Sequence, residues 1–214
     1  MEDNYRHKGL RKKLVNSIRK KGIKDENVLE ALNNVPRHLF MDTAFIERAY
    51  EDSAFPIGAG QTISQPYTVA FQTELLNVQK AEKVLEVGAG SGYQTCILCE
   101  LKAKVFSIER QKELYDLAKH MVNKLSYRPK VFYGNGYEGA PSFAPFDKIL
   151  VTCGAPDIPE DLKKQLKVGG RIVIPIGNGD IQDMKVFIKN GENDFDKYEH
   201  GKFSFVPMLS GKDK

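Results

Sequence analysis

Two periodicities divide the chain. Before about Phe71 the apolar positions fall at helical spacing: Leu10, Leu14, Val15 and Ile18 in "LRKKLVNSIRKKG", with Gly22 as a stop, then a second helix in "DENVLEALNNVP" that ends before Pro36. The basic residues of the first helix are expected on its solvated face. From Lys83 the texture changes to short apolar strands, "KVLEVG", "KVFSIE", "KVFYG", "FDKILVTC" and "RIVIPIG". Helices fall between them in "YQTCILCELKA", "KELYDLAKHMVNKL" and "PEDLKKQLKVGG", the last stopped by its glycines. This alternation predicts a parallel sheet with right-handed crossovers. The close, "MKVFIKNGENDFDKYEHGKFSFVPM", predicts an antiparallel hairpin around an "NG" turn at the sheet edge. The expected fold class is α/β: a doubly wound, mostly parallel, Rossmann-like sheet with an antiparallel C-terminal hairpin and a helical N-terminal extension. Residues 1–71 form the extension and a covering loop in this reading, and 72–214 the core.

Composition narrows the function little. A chain of 214 residues suits one domain, and 32 Lys plus Arg against 28 Asp plus Glu give +4, too mild a charge to imply nucleic acid. No run approaches the ~20 apolar residues of a membrane span, and the basic start lacks the apolar stretch of a secretory signal. Three cysteines cannot all pair within one chain, which suits the cytoplasm. Cys96 and Cys99 make a Cys-x-x-Cys inside an expected helix without a second pair, Cys153 reads as a small buried hydrophobe, and the four histidines are scattered. Neither a metal set nor a Ser/His/Asp arrangement is expected.

The glycine pattern changes the picture. "VLEVGAGSGY" puts Gly88, Gly90 and Gly92 where a buried strand turns into a helix, a place for an anionic or nucleotide-bearing ligand to approach backbone amides. Position 93, where a dinucleotide fingerprint has its third glycine, is Tyr93. Glu109 ends the next strand, where an acid would grip ribose hydroxyls. Glu86, just before the turn, is ill placed for a pyrophosphate and well placed near a cation, which favours S-adenosylmethionine over a nicotinamide cofactor. "VTCGAPDIP" matches neither an Asp/Asn-Pro-Pro-aromatic quartet nor a Pro-Cys nucleophile, so an amine or cytosine acceptor is disfavoured. A carboxylate acceptor, with a pKa near ~4, would need no general base.

Upstream, "AFPIGAGQTISQPY" offers Ser64 two roles. It is a good N-cap for a helix starting at Gln65 with Pro66 in its first turn, and its hydroxyl beside unpaired amides is also a place to hold a carboxylate.

With "VPRHLF", "AYEDSAFPIGAGQTISQPY", "VLEVGAGSGYQT", "FSIER", "GNGYEG", "APFDKILVTCGAPDIP", "LKVGGRIVIPIG" and "FVPM" in this order, the chain resembles the protein-L-isoaspartate O-methyltransferase family over nearly its whole length. The segment "QTISQP" is the family-specific part. The resemblance implies transfer of the S-adenosylmethionine methyl to the free α-carboxylate of L-isoaspartyl residues in damaged proteins, followed by closure of the ester to a succinimide. It makes Ser64 the active-site serine and sets Gln61, Thr62, Ile63 and Ser64 against cofactor and substrate. It also makes Glu86, Gly88 and Gly90 the first cofactor motif, Glu109 the ribose acid, and Asn135 with Gly136 the adenine-contacting pair. Phe205 to Leu209 would be a strand helping to close the substrate cleft. The family usually has Gly-Asp-Gly where this chain has Gly134-Asn135-Gly136, and weaker cofactor binding is expected from the change. The implied partners are isoaspartyl peptides and proteins, with neither nucleic acid nor membrane, and the chain is expected to be a monomer. A methyltransferase of a small metabolite, and a non-catalytic nucleic-acid-binding protein using the basic helix, are the alternatives.

Overall fold

Apolar runs become strands covered on both faces. In the computed structural model, which describes residues 2–213, β3 (Lys83–Val87), β4 (Lys104–Glu109) and β6 (Phe146–Val151) are buried along nearly their whole length, as strands of a doubly wound sheet must be. With β5 (Lys130–Tyr133), β7 (Leu166–Ile176), β8 (Gln182–Lys189) and β9 (Phe195–Phe203) they form a seven-stranded sheet in the order β5-β4-β3-β6-β7-β8-β9. The pairings from β5 to β7 are parallel, and those of β7 with β8 and β8 with β9 antiparallel. The predicted terminal hairpin is β8–β9, closed by the Asn190 amide donating to the Asp194 carbonyl.

Helix α1 (Tyr5–Lys20) is capped by Asn4 and buries Leu14, Val15 and Ile18, while α2 (Glu26–Asn34) is capped by Asp25. These apolar faces share one core with Tyr93, Cys96 and Ile97 of α4 (Tyr93–Glu100) and Met121 and Val122 of α5 (Lys112–Lys124). Helix α3 (Pro66–Leu76) runs through the expected boundary at Phe71. Helices α1 and α2 of the extension are thus packed onto helices α4 and α5 rather than directly onto the sheet.

Four local expectations are corrected. Arg11 is not on the solvated face of α1: it is buried, and its guanidinium donates to Asp3, to Tyr50 and to the Asn33 carbonyl. The loop before Ser64 is an antiparallel hairpin, β1 (Phe55–Gly58) with β2 (Gln61–Ile63), whose strands are too short and too rich in Pro and Gly to show a period. Helix α6 (Glu160–Gln165) stops before Lys167, because the glycine pair that seemed to end it lies inside β7, where the strand bulges between Leu166 and Arg171. Finally, Phe205 to Leu209 is not a strand of the sheet but an extended strap beyond β9. Gly154 donates to the Val206 carbonyl at 2.8 Å and Met208 donates back to the Gly154 carbonyl at 2.7 Å, which lays the strap across the end of β6.

Candidate functional site

The glycine loop leaves the C-terminal end of β3, where the strand order reverses between β4 and β6, the position at which open α/β sheets bind ligands. Gly88 has φ +98°, and a Cβ there would stand 2.5 Å from Thr152 Oγ1, so only glycine fits between the two strand ends. The Thr152 hydroxyl lies 2.6 Å from the Gly88 carbonyl and holds the loop to β6. Glu109, at the end of β4, accepts the Gly90 amide at 2.8 Å and the Gln111 amide at 2.9 Å. Each of its oxygens keeps a lone pair for a further donor.

Two adjoining cavities of about 450 and 560 Å³ surround these groups and share Gln61, Gly88, Glu109 and Cys153. The first continues between Val87, Ile108, Gly136 and Met208, and the second along Thr62, Ile63, Ser64 and Gly90. A side chain at position 136 would put its Cβ 2.5 Å from Val87 Cγ1, so Gly136 keeps the apolar slot open. This donor set fits an adenosyl cofactor: acceptor oxygens for a ribose on Glu109, amides of the glycine loop, and an apolar slot for a flat ring.

Beyond the second cavity lies an open cleft of about 1540 Å³, lined by Tyr67, Lys202, Phe203 and Phe205 among others. Thr62, Ser64, Thr152 and Val206 line both spaces and form the neck between them. Ser64 does not cap α3. The helix begins at Pro66, Gln65 holds the cap position without a side-chain cap bond, and the Tyr67 amide is taken by Asp52 Oδ1 at 2.8 Å. The extended backbone of Gln65 puts Ser64 outside the first turn, in the neck.

Gln61, Thr62, Ile63, Ser64, Gly88, Gly90, Glu109 and Gly136 are therefore brought to one place. Glu86 and Asn135 are not in either lining. Glu86 is fully buried under the loop, its Oε2 accepting Thr95 Oγ1 at 2.5 Å and Ser107 Oγ at 2.6 Å, while Oε1 has no partner. Burial raises its pKa to about 7; the two hydroxyls oppose that rise and the nearby charge of Glu109 adds to it. Asn135 spends its side chain on a turn: Oδ1 accepts the Tyr137 amide at 3.1 Å and Nδ2 donates to Glu138 at 2.9 Å.

Sequence reasoning passed over Thr152 and left Cys153 outside the site. Cys153, expected as a small buried hydrophobe, packs against the core and also forms part of the wall of both cavities, and burial pushes its thiol up to about 12, which keeps it neutral. The signal available was positional, since Thr152 and Cys153 follow the strand that flanks the switch point. Met208 belongs to the segment Phe205 to Leu209 that the family resemblance placed at the cleft, and it lines the first cavity where the Gly154 bridge holds the strap.

Comparisons with known proteins agree with this geometry. The profile of the family described as protein-L-isoaspartate(D-aspartate) O-methyltransferase matches residues 9–213. A protein-L-isoaspartate O-methyltransferase from Christiangramia forsetii is 61% identical over 99% of this chain and 100% of its own length, and one from Flavobacterium johnsoniae is 55% identical over the same shares. Among solved structures, a protein-L-isoaspartate O-methyltransferase superposes with a TM-score of 0.84 at 30% identity, over 92% of this chain and 65% of that longer chain. A Plasmodium falciparum protein assigned to the same enzyme class, solved with S-adenosyl-L-homocysteine, has a TM-score of 0.81 at 26% identity over 95% of this chain and 98% of its own. The glycine loop, the acid at the end of β4 and the neck at Ser64 are thus features of a chain that belongs to the protein-L-isoaspartate(D-aspartate) O-methyltransferase family.

Proposed function

We propose that this chain methylates the free α-carboxylate of L-isoaspartyl residues in proteins, with S-adenosylmethionine as the donor, and so starts their repair through a succinimide. The observation that carries the reading is the neck, where Ser64 and Thr152 stand between the cavities that fit the cofactor and a cleft open to a polypeptide. When bound, the cofactor supplies an electrophilic methyl on a sulfonium centre.

The chain's own part is positional. A carboxylate with a pKa near ~4 is already the nucleophile at neutral pH, so no base is needed. Ser64 Oγ–H is placed to donate to one carboxylate oxygen and leave the other free to attack, while Val206 narrows the neck and excludes water. Glu109 and the amides of the glycine loop hold the adenosyl part, with Gln61 closing over it and Gly136 opening the ring slot. Glu86 supports the loop from below through Thr95 and Ser107, and Asn135 shapes the turn that presents Gly136.

The match of residues 9–213 to the protein-L-isoaspartate(D-aspartate) O-methyltransferase family favours a polypeptide over a small metabolite. Among the described residues no helix is long and apolar enough to cross a membrane. A cytoplasmic monomer completes the reading. Methyl transfer from labelled cofactor to a peptide containing isoaspartate, beside its normal aspartate twin, tests it. Label on the isoaspartyl peptide alone is expected; equal label on both peptides, or on neither, would overturn it.

A further inference from the structure

The helix that follows the glycine loop carries an unused acceptor to the second cavity. Gln94, in the first turn of α4, is 7% exposed and lines that cavity beside Ser91 and Tyr93. Its Nε2 lies 3.0 Å from Thr73 Oγ1, and the Thr73 hydroxyl donates its one proton to the Val69 carbonyl at 2.7 Å. Thr73 Oγ1 can therefore only accept from Gln94, which fixes the amide with its nitrogen toward α3 and leaves the oxygen as its free end. That oxygen is buried without a hydrogen-bond partner. Gln72, one residue before Thr73, lines the same cavity and commits its Nε2 to the Val151 carbonyl at 3.0 Å, so its oxygen too is the end not committed there.

Buried acceptors are ordinarily met by a donor, so the missing partner of Gln94 is an N–H or O–H group. The cofactor reading of the cavities supplies one. With a flat ring in the slot at Gly136 and a ribose at Glu109, the second cavity is left for the amino-acid arm of S-adenosylmethionine. That arm ends in an ammonium, which only donates, and a carboxylate, which only accepts. An amide oxygen matches the first and repels the second. Glu86, the acid expected beside this cation from the sequence, is sealed under the loop and lines neither cavity, so it does not meet the ammonium directly.

We propose that Gln94, with Gln72 on the same wall, binds the α-ammonium of the cofactor's amino-acid arm. A bond from a charged donor is stronger than a neutral one, and Thr73 holds the accepting amide in its orientation before the ligand arrives. Anchoring the arm at this end sets where the methyl stands relative to Ser64 and Thr152 at the neck.

The test is calorimetry on the full chain without acceptor peptide. It compares S-adenosylmethionine, decarboxylated S-adenosylmethionine, which keeps an ammonium, and 5′-methylthioadenosine, which lacks the whole amino-acid end. Gln94→Met is expected to lose roughly 10 to 100 fold in affinity for the first two and to bind the third as the wild type does. Because it removes an unsatisfied buried oxygen, while Thr73 keeps its bond to Val69, its ligand-free melting temperature is expected to stay level or rise. An equal loss for all three ligands, a loss confined to the ligand with the carboxylate, no loss at all, or a variant too unstable to fold would each overturn the proposal. The inference rests on the cofactor reading of the two cavities. A wild type that took up none of the three ligands would remove that reading as well, whereas the other outcomes remove this inference alone.

Discussion

The Asp52 carboxylate takes the Tyr67 amide at 2.8 Å, and with it the capping of α3. The second Asp52 oxygen pairs with Lys21 beyond the end of α1, so one side chain from the loop before β1 joins two helices. Capping at the start of α3 thereby falls to Asp52 and leaves the Ser64 hydroxyl unused by the helix.

Ser64 is consequently free for the role proposed for it at the neck. Ser64→Ala is expected to leave the melting temperature within about a degree, because no cap is lost, and to lower kcat/KM for an isoaspartyl peptide roughly 10 to 100 fold with cofactor affinity nearly unchanged. Ser64→Thr is expected to keep more activity, since it keeps the donor. Steady-state kinetics at saturating cofactor checks both, and full activity in Ser64→Ala would move the carboxylate-holding role to the amides of Gln61 to Gln65.

Asp52→Ala is expected to show the reverse pattern. Loss of the cap costs about 0.5 to 2 kcal/mol of stability, read as a lower denaturation midpoint, while turnover by the folded fraction changes little. Asp52→Asn keeps an acceptor for the Tyr67 amide and is expected to recover most of the loss. A midpoint unaltered in Asp52→Ala would show that the cap contributes nothing.

Glu86 sets a pH dependence of stability. Its folded pKa lies above the ordinary carboxylate value, at about 7, because burial disfavours the charge. The protonated form is therefore the better folded one: its stabilisation is complete below the unfolded pKa near ~4.5 and is lost as pH rises through about 7. Glu86→Gln, which cannot ionise, is expected to melt at a temperature within a degree or so of the wild type at pH 5 and a few degrees above it at pH 8. Melting curves across that range check the sign, and a variant less stable at pH 8 than at pH 5 relative to the wild type would refute it.

Asn135 also yields a prediction unlike the one its alignment with the usual Asp suggests. Restoring Asp keeps the acceptor for the Tyr137 amide but sets a carboxylate against the Glu138 oxygen that Nδ2 now meets at 2.9 Å. Asn135→Asp is expected to leave cofactor affinity within about threefold and to lower stability by a few tenths of a kcal/mol, the scale of exposed charge pairs. Adding Glu138→Gln is expected to restore it. Calorimetric cofactor binding that tightens tenfold in the single variant would instead make position 135 a direct contact.

The sheet was legible because its evidence is local. "KVLEVG", "KVFSIE" and "FDKILVTC" are unbroken apolar runs bounded by charge or glycine, and each became a strand close to where it was expected. That the glycines and Glu109 meet was legible for the same reason, since they sit at strand ends that topology brings together. What failed depends on contacts between distant residues. Arg11 carries the formal character of a surface residue, yet Asp3, Tyr50 and the Asn33 carbonyl satisfy it inside. His7 and His38 stack across a helix and a turn, and no periodicity records that. Ser64 looked like a cap because its own neighbourhood fits one, and the competing carboxylate arrives from Asp52.

The strap that carries Val206 and Met208 follows all nine strands in the order of synthesis, and the Gly154 amide and carbonyl wait for it at the end of β6. The two bonds they make are main-chain to main-chain, so the strap is fastened independently of the side chains it presents, and substitutions at Val206 or Met208 would reshape the cavity wall without unfastening it.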